Sequence, residues 1–138
     1  MSLARQSLGR EGETRAARFL ETRGYRIIAR NVRADRVEID LIARRGSLLV
    51  FIEVKTRRAT AHGVAAEAVD SRKQRRLRRG ARAWLATNPA EGRGARRRRF
   101  DVVTCICDKF AGRPPNEATP PSLEDGAGWS IEHWEGAF

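Results

Sequence analysis

The sequence predicts an α/β domain whose mixed central sheet combines a three-strand antiparallel meander with one parallel strand and is flanked by helices. Three features carry this. Leu48 to Val54 is almost continuously apolar, as expected for a strand covered on both faces. Val37 to Ala43 alternates acidic and apolar residues, and Arg45-Gly46-Ser47 supplies a turn between the two runs, so they form a hairpin. Ala65 to Ala86 has helical spacing and leads to another apolar run, Phe100 to Ile106. With a helix between them, that strand is free to run parallel to a central one.

Each element has its own signal. Residues 7 to 23 read as the first helix, with Leu8, Ala16, Phe19 and Leu20 on one side and Gly24 as the C-cap. Tyr25 to Arg33 carries Ile27, Ile28 and Val32 among arginines and reads as an outer strand. A two-residue Gly46-Ser47 loop sets Asp40 opposite Glu53 and Glu38 opposite Lys55. Residues 57 to 63 form a polar loop in which Gly63 marks a bend and His62 is a solvent-exposed residue. The second helix buries Ala68, Val69, Leu77, Ala81, Trp84 and Leu85, and Asn88-Pro89 ends it. Glu91 to Arg99 is expected to be a mobile Gly-Arg loop that contacts phosphates. Residues 108 to 128 hold four of the five prolines and read as an irregular excursion, and Trp129 to Trp134 as a terminal edge strand whose tryptophans pin the tail.

With 138 residues and 41% hydrophobic content, one compact domain spanning 1 to 138 is expected, its core at about 7 to 107. The formal charge is +11, almost all of it arginine, with lysine only at Lys55, Lys73 and Lys109. Arginine grips phosphate bidentately and stacks on bases, so the first partner implied is nucleic acid, DNA above all. Part of such a surplus can be simple surface solvation, yet here it is clustered. Like charges at i, i+4 on one helix repel, and Arg72, Arg75, Arg76 and Arg79 would be relieved by a phosphate backbone. Arg57 and Arg96, Arg97 and Arg98 extend the same surface. Cys105 and Cys107, two residues apart in a strand, neither bridge readily nor make a zinc site without further cysteines. Neither a signal region nor a long apolar stretch is present, which points to a cytoplasmic protein with no membrane partner.

The chemistry lies in the hairpin. Strand side chains alternate, so Glu53 and Lys55 share a face, and the register places Asp40 within about 5 Å of it. Adjacent carboxylates repel, and burying them costs several kcal/mol per ion unless a cation compensates. Their hard oxygens suit magnesium or manganese, which keep most of their waters. Lys55 would then aim a point charge at a water or at a phosphate. Glu13, near the start of the first helix, has a simpler reading as an acid that favours a helix N-terminus.

Asp40, twelve intervening residues and Glu53-Val54-Lys55 resemble the Asp, Glu-x-Lys signature of the PD-(D/E)XK nuclease superfamily, which includes restriction enzymes and junction resolvases. That spacing alone is a weak motif. The wider set is stronger: Gly9-x-x-Gly12-Glu13-x-x-Ala16, Arg30-Asn31-x-Arg33, Glu38-Ile39-Asp40-Leu41-Ile42, Phe51-Ile52-Glu53-Val54-Lys55-Thr56-Arg57 and Arg99-Phe100-Asp101-Val102-Val103. Together these are similar to the bacterial YraN-like (UPF0102-type) family of small, predicted nucleases, over roughly residues 8 to 106, with an echo in the last eight residues. Val37 stands where that family usually has Gly, and Gly136 where it tends to have Asn.

The resemblance implies a restriction-endonuclease-like fold and a metal-dependent endonuclease acting on DNA or on branched nucleic acid. On it, Asp40 and Glu53 hold magnesium with the Val54 carbonyl as a third oxygen, Lys55 orients the attacking water, and Glu13 assists. Glu38, Lys73 and Gln74 fall at supporting positions, the latter two where the superfamily often carries Lys or Gln. Cleavage at two sites of a junction would call for a homodimer. Two rivals stand beside this reading: a nucleic-acid-binding protein that keeps the site without the chemistry, and a structural protein whose acids pair with arginines. Asp101 is expected to pair with an arginine rather than to act in catalysis.

Overall fold

The computed structural model describes residues 3–58, 69–107 and 128–138. His62, Gly63, the first turn expected of the second helix at 65 to 68, and the excursion from 108 to 127 lie outside them.

Helix α1 (Leu3–Thr22) starts earlier than its apolar spacing suggested. Gly24 ends it at φ 88, and the Tyr25 and Gly24 amides donate back to the Leu20 and Glu21 carbonyls while the Thr22 hydroxyl donates to the Phe19 carbonyl, so the last turn is closed. Strands β1 (Arg26–Ala34), β2 (Val37–Arg45) and β3 (Leu48–Arg58) form the antiparallel meander. Asp35 and Arg36, both at positive φ, turn the first hairpin. Gly46, at φ 60, opens the second, whose pairs run from Arg45↔Leu48 to Leu41↔Ile52, the register set by a Gly46-Ser47 loop.

Helix α2 (Ser71–Thr87) begins later than the expected Ala65. Asp70 caps it, its side chain accepting the Lys73 amide at 2.8 Å, and Val69 stands before the cap rather than in the helix. The expected Gly-Arg loop is instead built structure. A short helix α3 (Pro89–Arg93) is followed by strand β4 (Arg97–Cys107), which lies parallel to β3 from Leu48↔Arg97 to Arg58↔Cys107. The Arg96 and Arg97 amides both donate to the Ser47 carbonyl. Strand β5 (Trp129–Trp134) pairs antiparallel with β4 and completes a sheet ordered β1-β2-β3-β4-β5.

The two faces of the sheet carry separate cores. Ala16, Ala17 and Leu20 of α1 cover Leu41, Ala43, Val50, Ile52, Val103 and Trp129. Ala81 and Trp84 of α2 cover Ile39, Ile42, Leu49 and Phe51 on the other face. β3 is therefore buried on both sides, as its unbroken apolar run required. Helix α2 approaches β2 most closely at Gly80, where an added β-carbon would lie 2.9 Å from the Val37 side chain. Of the two tail tryptophans, Trp129 is buried and pins β5, while Trp134 is 55% exposed.

Asp101 anchors the far side of the sheet. Its side chain is fully buried and accepts from Arg99 Nε and Nη2 at 2.8 Å each and from the Gly136 amide at 2.9 Å, with His133 Nε2 at 2.7 Å. Burial alone would raise its pKa, but these hydrogen bonds outweigh it and hold the carboxyl below the usual range. Arg99 also donates to the Tyr25 hydroxyl at 2.7 Å, tying β4 to the chain segment after α1. The ion pair expected at Asp101 is thus part of the scaffold.

Candidate functional site

Asp40 and Glu53 meet where the β2–β3 ladder ends. The last regular pair is Leu41 with Ile52. Beyond it the Val54 amide donates to Asp40 Oδ2 at 2.8 Å, a side chain doing the work of a backbone carbonyl. A slip in the strand aims this carboxylate. Ile39 packs in the α2-side core and Leu41 in the α1-side core, although a regular strand would put both on one face. The alternation changes at Asp40. Opposite, Asn31 has φ 50 and falls out of the pairing between Arg30↔Leu41 and Val32↔Ile39.

Burial raises the Asp40 pKa most, the neighbouring Glu53 charge next, and Glu13 and Glu38 less; the Val54 amide opposes them, and the carboxyl is pushed up to about 7. Glu13 is also raised, by burial first, against a hydrogen bond from the Asn31 side chain. Its charge feels Glu38, Glu53 and Arg30. Four acids from α1, β2 and β3 therefore share one electrostatic neighbourhood. A cation in contact with them comes from α2: Lys73 Nζ lies 2.5 Å from Glu53 Oε1. A cleft of about 400 Å³ opens here, with Glu38, Asp40 and Glu53 on its sheet side and Asp70, Arg72, Lys73 and Arg76 on its helix side.

Glu13 reaches the site because α1 touches the sheet at the preceding residue. Gly12 is buried, its carbonyl accepts from Cys105 Sγ at 3.3 Å, and an added β-carbon would collide with the Thr56 side chain. Burial keeps that thiol protonated, with its pKa pushed up to about 12. Gly12→Ala should therefore destabilise the fold by about 1–3 kcal/mol, read as a lower midpoint in urea. An unchanged midpoint would show that this contact gives way freely.

The other expected site residues divide. Lys55 lies two residues past Glu53 and is paired in the sheet with Thr104, and the helix-borne Lys73 lines the cleft and contacts Glu53. Glu38 is paired with Arg33 of β1, so the expected Glu38–Lys55 pairing is not part of the ladder. Gln74 is turned onto the backbone, donating to the Val69 carbonyl at 2.8 Å. Arg72 and Arg76 line the cleft, Arg75 is exposed on the same helix, Arg79 pairs with Asp35 at 2.9 Å, and Arg57 donates to the Thr56 carbonyl at 2.9 Å. Arg96, Arg97 and Arg98 are exposed but stand at the Leu48 end of β3, five residues and roughly 16 Å along the strand from Glu53. Sequence reading named Asn31 only within the Arg30-Asn31-x-Arg33 motif, without a site role, and did not single out Asp70. Asp70 had a signal, as an N-cap residue at the head of a helical run.

Fold and cleft together define a small α/β protein that brings a repelling carboxylate pair and a basic helix to one opening. The chain belongs to the family described as "Uncharacterised protein family UPF0102", whose model matches residues 12–105. A UPF0102 protein of Symbiobacterium thermophilum is 54% identical over 96 residues, 70% of this chain and 79% of the relative. Those of Chlorobaculum parvum and Corynebacterium efficiens are each 41% identical, over 98% and 99% of this chain and 94% and 95% of their own. The matched span contains Glu13, Asp40, Glu53, Lys55 and Lys73.

Proposed function

We propose that the cleft hydrolyses phosphodiester bonds in nucleic acid with the help of a divalent cation, in the manner of the PD-(D/E)XK nucleases. The observation that carries this is the Asp40–Glu53 pair, whose mutual repulsion the fold maintains inside a cleft bordered by Arg72 and Arg76. A pair of acids held at such cost serves a cation better than it serves packing. The donor set fits magnesium. Asp40 spends one oxygen on the Val54 amide and keeps the other, and Glu53 carries a side-chain cation. Among the described residues no three His, Cys, Asp or Glu side chains converge as a ready-made metal cage, and magnesium is commonly held by one or two carboxylates with the rest of its shell water.

Asp40 and Glu53, with the Val54 carbonyl, would hold the ion. Bound there, it supplies Lewis-acid charge to the phosphate and makes a water acidic enough to attack. Lys55 would orient the attacking water and offer charge to the oxyanion as it forms, and Glu13 would assist from α1. Arg72, Arg75 and Arg76 grip the backbone without reading bases. Lys73 occupies the place of a counter-ion on Glu53 and stands in the same cleft as Arg72 and Arg76.

The Lys73–Glu53 ion pair also favours a second reading, in which the acid is already neutralised and the protein only binds nucleic acid. The deciding experiment is cleavage of labelled linear, single-stranded, flap and four-way DNA with magnesium or manganese by wild type, Asp40→Ala and Lys55→Ala. Metal-dependent cutting that both variants lose establishes the nuclease. No cutting on any substrate, with salt-sensitive binding retained in all three proteins, establishes the binding protein.

A further inference from the structure

On the other flank of α2 the chain carries a second opening that the hydrolytic reading does not use. It is an apolar pocket of about 140 Å³ whose walls include Phe51, Ala81, Leu85 and Phe100, with Arg78, Arg82 and Arg98 around it. The size suits a single ring, since a cavity of roughly 150 Å³ admits benzene. Its aromatic side is ordered: Phe51 and Phe100 stack with centroids 5.5 Å apart, Phe138 lies against Phe100 at 5.2 Å, and the Arg78 guanidinium sits over Phe100 at 5.4 Å. Arg82 and Arg98 are exposed at the mouth.

We infer that this pocket receives one unpaired nucleobase, with the phosphates on either side of it held by Arg82 and Arg98. An apolar ring slot alone would take any small hydrophobe. Three arginines around it select an occupant that is aromatic and anionic at once, and a nucleotide at a strand end or fork is that occupant. Placement supports the same strand serving both openings. Lys73 and Arg76 face the carboxylate cleft, and Arg82 and Leu85 the pocket, about nine residues or roughly 13 Å along one helix. Phe51 and Glu53, two residues apart in β3, belong one to each. This inference rests on the nucleic-acid reading and adds a substrate class to it: duplexes with frayed, flapped or branched ends rather than continuous double helix.

The test is binding in EDTA, which separates recognition from cutting. Full-length protein is titrated with a blunt duplex, with the same duplex bearing unpaired thymidine tails, and with the tailed duplex carrying abasic sites in the tails. The thymidine tails are expected to tighten binding about tenfold over both other ligands, in line with the strength of base–aromatic stacking. The double variant Arg82→Ala/Arg98→Ala should lose that preference, whereas Arg75→Ala, outside the pocket, should weaken all three ligands equally. Equal affinity for thymidine and abasic tails overturns the pocket and leaves the nuclease reading standing, as does loss of the preference in Arg75→Ala. Absence of binding to every ligand overturns the pocket, and the cleavage panel with magnesium or manganese then decides the nuclease reading separately.

Discussion

Asp40→Asn should, on the proposed nuclease reading, lower magnesium-dependent cleavage by about a thousandfold or more and, at pH 8, raise the melting temperature. The first effect follows from losing an anionic metal ligand, a change that typically costs two to four orders of magnitude at groups acting on the transition state. The second follows from the fold resisting the charge. An Asp ionises at about 3.9 in an unfolded chain, while Asp40 in the fold is pushed up to about 7 by burial and by Glu53. Its contribution to stability is thus fully present below about pH 4 and is lost as pH rises through about 7. Asparagine keeps an oxygen for the Val54 amide and has no charge to bury. The difference in stability between variant and wild type should be near zero at pH 4 and level off above pH 7, where it exceeds about 1 kcal/mol and appears as a higher melting temperature of the variant. Magnesium should narrow it by stabilising the wild type alone. A flat difference from pH 4 to 9 would mean that Asp40 ionises as it does in water.

The largest loss of stability is expected at Asp101→Ala, about 3–5 kcal/mol, enough to lower the melting temperature by on the order of 10 °C. The substitution leaves the partly buried Arg99 guanidinium and the His133 ring without the carboxylate that both contact. It also frees the Gly136 amide, which joins the tail to β4. Arg99, whose pKa is raised chiefly by Asp101, stays charged and pays the desolvation alone. Because the Asp101 pKa is lowered in the fold, its contribution is present above about pH 4 and lost as pH falls through the folded value, so wild type and variant should converge in acid. Urea midpoints at pH 7 and pH 3 would show this, and an equal gap at both would remove the charge from the account.

The hairpin was legible because its determinants are local. Gly46-Ser47 and the apolar run of β3 fix a register from Arg45↔Leu48 to Leu41↔Ile52 that leaves Asp40 and Glu53 just beyond its end. The parallel course of β4 followed as directly from the helix between them. What depended on tertiary contact was not legible. Lys73 was placed near the site only through the family resemblance; its ion pair with Glu53 depends on the docking of α2 over Gly80, which no local pattern announces. Arg96, Arg97 and Arg98 looked like a mobile arm because charge runs usually are, but the Ser47 carbonyl and the edge of β3 draw them into a ladder. The slip at Asp40 had no signal in the alternation of Glu38 and Asp40 with Ile39 and Leu41; only the left-handed Asn31 across the strand betrays it.

The short span between Asp40 and Glu53 also bears on the order in which the site is assembled. Bringing two residues together costs entropy that grows with the logarithm of the chain between them, and here that chain is one tight hairpin. The acids can therefore be juxtaposed as soon as the hairpin closes, a microsecond-scale event, while Glu13 and Lys73 must wait for helices that pack over larger loops. Repulsion between Asp40 and Glu53 is thus felt before the counter-charge arrives. On the proposed reading, a divalent ion in the medium would engage the nascent hairpin at that stage and so change the folding rate as well as the stability of the finished protein.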